Sequence, residues 1–144
     1  MNFDFYMPVR VVSGRTALAD SAAQLKKLGD SCMVVTGKRS AKASGALDDL
    51  TEVLRREKIS YTVYDGITEN PLLSSCEEAA ALAAEKKAAF VVGIGGGSPL
   101  DAAKAIAALA ANPGLDREGF FQKAWKNPPL PIVLIGTTSG TGSE

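Results

Sequence analysis

The stretch from Phe90 to Lys104, Phe-Val-Val-Gly-Ile-Gly-Gly-Gly-Ser-Pro-Leu-Asp-Ala-Ala-Lys, limits the fold more than any other part of the chain. Phe90 to Ile94 is a short apolar run rich in β-branched residues, the pattern of a strand buried on both faces of a parallel sheet. Gly95, Gly96 and Gly97 strip the following turn of side chains, which permits positive φ and close approach of backbone N–H groups to a ligand. Ser98 reads as the N-cap of a helix, Pro99 as its first residue and Asp101 as a carboxylate reaching back to the cap. A helix N-terminus aimed at such a turn carries free N–H groups and partial positive charge, which suits a phosphate or pyrophosphate. The same glycines also serve a tight turn that binds nothing, and Gly93-x-Gly95-x-x-Ser98 only approximates the G-x-G-x-x-G/A dinucleotide spacing.

Around this unit strands and helices alternate. Pro8 to Gly14 reads as a strand, and Thr16 as the cap of a helix through about Leu28 that Gly29 ends. Cys32 to Thr36 is a second buried strand, followed by the loop Gly37-Lys38-Arg39-Ser40 and an amphipathic helix from about Ser44 to Glu57 with Leu47, Leu50 and Leu54 inward. Ile59 to Tyr64 alternates as a strand, and Asp65-Gly66 and Asn70-Pro71 read as turns. Ser74 with Glu77 forms a capping box for a helix through Lys87. Asn112-Pro113-Gly114 stops the helix that Pro99 opens, residues 115–129 look irregular with Trp125 as their anchor, and Pro131 to Ile135 is the last strand. The alternation predicts an α/β domain, 1–144, with a mostly parallel sheet and helices on both faces. Ligands in that architecture bind outside the carboxyl ends of the strands. Four loops fall there: Gly37 to Ser40, Asp65 to Pro71, Gly95 to Ser98, and Thr137 to Ser143.

Composition narrows the function. With 16 basic and 16 acidic residues the formal charge is zero, which gives no footing for a nucleic-acid surface. No apolar run approaches the ~20 residues that span a bilayer, and the N-terminus lacks the basic and apolar regions of a signal peptide, so a cytoplasmic location is expected. Cys32 and Cys76 read as buried free thiols rather than a disulfide. The chain contains no His, which removes His-based proton transfer and the commonest transition-metal ligand.

Three segments carry a family resemblance. Gly95-Gly-Gly-Ser-Pro-Leu-Asp-Ala-Ala-Lys104 resembles the GGGSPxDxAK segment of the iron-containing (group III) alcohol dehydrogenases, Thr137-Thr-Ser-Gly-Thr-Gly-Ser-Glu144 resembles their TTxGTGSE segment, and Asp65-Gly-Ile-Thr-Glu-Asn-Pro71 resembles their DGxxxNP loop. The resemblance covers essentially the whole chain but only the family's N-terminal, Rossmann-like cofactor-binding domain. It implies an NAD(P)-dependent oxidoreductase interconverting small alcohols with aldehydes or ketones, with homo-oligomerisation left open. In the family a second, helical domain holds a divalent metal, Fe²⁺ or Zn²⁺, through one Asp and three His, so this chain looks like half of such an enzyme. The resemblance assigns Gly95, Gly96, Gly97 and Ser98 to the pyrophosphate loop and Asn70 to a polar contact with the cofactor. It puts Thr137, Thr138 and Thr141 near the ribose and nicotinamide, and Asp101 in the same cleft, compatible with capping. Lys104 reads as a solvated or paired lysine.

The loop after the second strand bears on cofactor choice. In open α/β sheets an acid after an early strand commonly binds the ribose 2′-hydroxyl and repels a 2′-phosphate. NAD-using members of the family often carry Asp at the position of Gly37. Here Gly37 leaves no carboxylate, and Lys38, Arg39 and Ser40 offer two cations and a hydroxyl to a 2′-phosphate, so NADP(H) is expected over NAD(H). Two alternatives stay open: a nucleotide-binding module with no chemistry of its own, and a glycerol dehydrogenase or dehydroquinate-synthase-like relative.

Overall fold

The computed structural model describes residues 2–4, 6–140 and 142–144. Four strands, β1 (Ser31–Gly37), β2 (Ser60–Ile67), β3 (Phe90–Gly95) and β4 (Ile132–Gly136), pair in parallel in the spatial order β2-β1-β3-β4. β3 is buried along its whole length and β1 from Cys32 to Thr36, as their unbroken apolar runs predict; the flanking strands are partly exposed. Alternate side chains feed two cores. On one face Met33, Val35 and Val91 pack under α5 (Leu73–Glu85) and α6 (Gly97–Ala111). On the other, Cys32, Val34, Phe90, Val92 and Ile94 pack under α2 (Ala22–Leu28), α3 (Ser40–Ala43) and α4 (Ala46–Arg56), with Leu47, Leu50 and Leu54 inward as expected. The fold is the anticipated Rossmann-like α/β layer arrangement.

Several local expectations change. Residues 8–13 join no ladder among the described residues, and Val9, Val11 and Val12 are exposed; alternation supplies strand propensity, but a strand exists only against a partner. The first helix is interrupted at Ser21 into α1 (Ala17–Asp20) and α2, and the Thr16 hydroxyl donates to the Asp20 carboxylate (2.8 Å) rather than capping. Asp65-Gly66 is no turn. Between the pairs Val35↔Tyr64 and Gly37↔Ile67, β2 holds one residue more than β1, so the dipeptide is absorbed in a β-bulge. The capping box at Ser74 does not form, because the extended residue before α5 is Leu72 and Ser74 lies inside the helix. Residues 115–129 contain a short helix, α7 (Arg117–Phe121), capped by the Asp116 carboxylate, which accepts from the Gly119 N–H at 2.7 Å. Trp125 anchors the chain beyond α7 as expected, half-buried beside Phe120, its Nε1 donating to the Phe120 carbonyl at 3.3 Å. The buried Asn112 side chain stitches this segment to α6, donating to Ala108 and Asn127 carbonyls and accepting from the Lys126 and Asn127 N–H groups, all within 2.9 Å.

Three helices end in the same way. After α4, α5 and α7 the chain turns through a left-handed lysine, Lys58, Lys87 and Lys123, with φ of 55°, 53° and 55°. In each case the next N–H bonds back to the carbonyl five residues earlier: Ile59 to Leu54 (2.8 Å), Ala88 to Ala83 (2.9 Å) and Ala124 to Gly119 (2.9 Å). Glycine is the usual residue there, since a side chain in this conformation costs about 1–2 kcal/mol, while glycine's freer unfolded chain takes back about 0.4–1 kcal/mol. Lys58→Gly and Lys87→Gly are each expected to stabilise the domain by roughly 0.5–1 kcal/mol. Urea unfolding midpoints check this; a lower midpoint in both variants contradicts it.

Candidate dinucleotide site

The parallel ladders carry the ends of all four strands to one edge. Gly37 is paired with Ile67, Thr36 with Ile94, and Gly95 with Gly136, so the loops opening at residues 37, 67, 95 and 136 leave the sheet side by side. The strand order reverses between β1 and β3: the chain leaves β1 toward β2, then returns past it to β3 and β4. The helices that follow β1 and β3 therefore cover opposite faces, and a crevice opens between their first turns.

The glycine turn sits in that crevice. Gly95 has φ of +146°, and a Cβ there would lie 2.8 Å from Pro99 Cγ and 3.3 Å from Ser40 Oγ. This one measurement explains why residue 95 is glycine and brings the 37–40 loop against the 95–98 turn. A Cβ at Gly96 would lie 3.3 Å from Thr138 Oγ1, and the Thr137 N–H donates to the Gly95 carbonyl at 2.9 Å, so the segment after β4 forms the other wall. Thr137 Oγ1 is buried and has no partner among the described residues. A buried hydroxyl left unpaired costs free energy, and a ligand oxygen in the crevice would satisfy it.

The helix start differs from the expected one. α6 begins at Gly97 with Gly96 as its N-cap residue, so Ser98 and Pro99 are its second and third residues and no side chain caps it. With the helix starting at Gly97, the N–H groups of Gly97 and Ser98 have no carbonyl of the helix to bond, Pro99 has no N–H, and the Leu100 N–H donates to the Gly96 carbonyl at 3.4 Å. Gly97 is helical, and the positive φ belongs to Gly95 alone of the three. Asp101, fifth in the helix, lies past the free N–H groups and contacts Lys104 Nζ (3.3 Å) and Ser143 Oγ (3.4 Å). Lys104 is thus the paired lysine expected. Lys38 and Arg39 are exposed at the mouth of the crevice and form no ion pair among the described residues. Asn70 lies on the loop after β2 with φ of 53°, at the same sheet edge but one strand further out. Thr141 lies outside the described residues. Ser143, whose burial no local pattern signals, is only 8% exposed.

The cysteines take no part. Both are free and buried; burial pushes the Cys32 thiol up to about 12 and raises Cys76, with the Glu77 charge adding to the latter. Among the described residues no group of three or more His, Cys, Asp or Glu could hold a metal ion, and no helix is long and apolar enough to cross a membrane.

The family model for iron-containing alcohol dehydrogenases matches residues 8–144. The chain belongs to that family. It is 40% identical over 129 residues to the long-chain primary alcohol dehydrogenase AdhA of Thermoanaerobacter ethanolicus, a match covering 88% of this chain and 32% of the relative. It is 31% identical over 149 residues to NADH-dependent butanol dehydrogenase A of Clostridium acetobutylicum, covering all of this chain and 37% of that protein. The crystal structure of an iron-containing alcohol dehydrogenase from Thermotoga maritima superposes with a TM-score of 0.92 at 40% identity, over 99% of this chain and 40% of that one. The chain thus spans about a third of the length of the curated relatives it matches.

If the first turn of α6 receives a phosphate, Gly97→Val should close it while leaving the helix intact. Loss of even one charge-assisted bond, about 1.5–3 kcal/mol, weakens binding about tenfold to hundredfold. Titration calorimetry with NADP⁺ measures the loss; an unchanged dissociation constant in a folded variant would locate the phosphate elsewhere.

Proposed function

We propose that residues 1–144 form the dinucleotide-binding domain of a metal-dependent alcohol dehydrogenase that interconverts small alcohols with aldehydes or ketones by hydride transfer. The carrying observation is the meeting of three loops at the reversal of strand order: the uncapped first turn of α6, Ser40 against Gly95, and Thr138 against Gly96. A dinucleotide fits these residues. The N–H groups of Gly96, Gly97 and Ser98 can receive the pyrophosphate, and the Thr137 hydroxyl with Thr138 can receive ribose or nicotinamide oxygens. Asn70 serves as an outer polar contact and Thr141 as a further hydroxyl. Bound nicotinamide supplies the hydride carrier, and these residues hold and orient it.

A catalytic metal does not fit this chain. It has no His, and its acidic residues form no ligating group among the described residues. We therefore assign the Fe²⁺ or Zn²⁺ ligands, and most substrate contacts, to sequence outside these 144 residues, in keeping with the share of its relatives that the chain spans. The domain alone should bind nucleotide weakly and oxidise no alcohol. Cofactor reduction measured with added Fe²⁺ or Zn²⁺ checks this; metal-dependent turnover by this chain alone would overturn the division of labour.

NADP(H) is the cofactor this reading favours. β1 ends in Gly37 with no carboxylate, two cations without an ion-pair partner among the described residues stand beside it, and Ser40 Oγ faces the glycine turn. A charge-assisted bond to a 2′-phosphate contributes about 1.5–3 kcal/mol, about a tenfold to hundredfold preference. The relative named an NADH-dependent butanol dehydrogenase supports the opposite choice. Gly37→Asp discriminates, because a Cβ at Gly37 makes only ordinary contacts, 3.4 Å from the Ile67 carbonyl and 3.8 Å from Pro99 Cγ. Dissociation constants for NADP(H) and NAD(H), at one salt concentration, should favour NADP(H) in the unaltered chain and shift toward NAD(H) in the variant. Tighter NAD(H) binding by the unaltered chain would refute the assignment.

A further inference from the structure

The segment after β4 forms one wall of the crevice, yet residues 138–140, 142 and 144 are exposed. At the near end the Thr137 N–H is held by the Gly95 carbonyl. At the far end Ser143 is buried to 8% exposure and its hydroxyl faces the Asp101 carboxylate at 3.4 Å, across 42 positions of sequence. Asp101 does not cap α6, and its other oxygen faces Lys104 Nζ at 3.3 Å. The lysine holds one side of an otherwise solvated carboxylate while the other side meets the buried hydroxyl. Asp101 lies one helical turn beyond Gly97, on the same side of α6 as the glycine turn.

We infer that Asp101 is a positioning residue: through Ser143 it ties the chain after β4 to α6 and so keeps Thr137 and Thr138 against the glycine turn. The consequence for binding rests on the dinucleotide reading of the crevice; the tie itself does not. Removing the carboxylate takes away one of the contacts that hold the far end of the segment, and the ligand must then do more of the ordering of that wall as it binds. Ser143→Ala should act through the same connection, so the two losses should not add.

The test compares Asp101→Ala, Asp101→Asn, Ser143→Ala and the double alanine variant in two measurements. Titration with NADP⁺ should give dissociation constants about threefold to tenfold higher for either alanine variant. The double variant should be no worse than the poorer single one, and Asp101→Asn, which keeps an accepting oxygen, should restore most of the affinity. Amide hydrogen exchange without nucleotide should be several-fold faster at residues 137–140 in Asp101→Ala and near the unaltered rate in Asp101→Asn. A purely helix-stabilising Asp101 would instead lower the melting temperature with no selective change at 137–140. Additive losses, or unchanged exchange at 137–140 in Asp101→Ala, would overturn the inference. Failure of the unaltered chain to bind NADP⁺ or NAD⁺ would remove the dinucleotide reading, and exchange alone would then decide the tie.

Discussion

The close approach of α6 to β3 is the contact on which the rest depends. A Cβ at Gly93 would fall 2.8 Å from Ala103 Cβ and 3.1 Å from Leu134 Cδ2, so the helix can seat only because residue 93 has none. Ala102, Ala103, Ile106 and Ala107 then bury completely or nearly so against the sheet. Small residues on α6 and a missing side chain on β3 together fix the depth of the helix. That depth sets where its first turn emerges, beside Ser40 on one side and Thr138 on the other. Overpacking here typically costs about 1–3 kcal/mol, and it would also displace the crevice.

The site comes from topology as much as from residues. A parallel sheet sends every strand's C-terminal end to the same edge, but a glycine turn there becomes a cleft only where neighbouring connections part to opposite faces. β1 and β3 are those neighbours. The loops after them supply complementary chemistry: uncapped N–H groups from one, cations and a hydroxyl from the other. β4, paired to β3 through Gly95↔Gly136, adds the threonines.

Much of this is legible in the sequence because it depends on short-range pattern. The buried runs of β1 and β3, the inward leucines of α4 and the strand–glycine–helix unit all announce themselves by periodicity and turn chemistry. Local signals mislead where they have more than one tertiary use. Asp65-Gly66 has the composition of a turn and forms a bulge. Ser98 has the composition of a cap, but the helix starts on Gly97, two residues before the Pro99 start that such a cap implies. Pro8 to Gly14 has strand composition without a neighbour to pair with among the described residues. The order of strands, and hence the crevice between the 37–40 and 95–98 loops, depends on long-range pairing that no local pattern encodes. The same holds for Asp101 and Ser143, whose contact joins two motifs each readable alone.

The central claim is that the uncapped start of α6 and the threonine segment after β4 together receive a dinucleotide. Backbone amide chemical shifts, measured by NMR during titration with NADP⁺, test it most directly. The largest changes should fall on Gly96, Gly97 and Ser98 and on Thr137 and Thr138, with smaller ones at residues 38–40. Changes concentrated instead on the shallow cleft beside Leu73, Glu77 and Arg117, with residues 95–98 unmoved, would contradict the account.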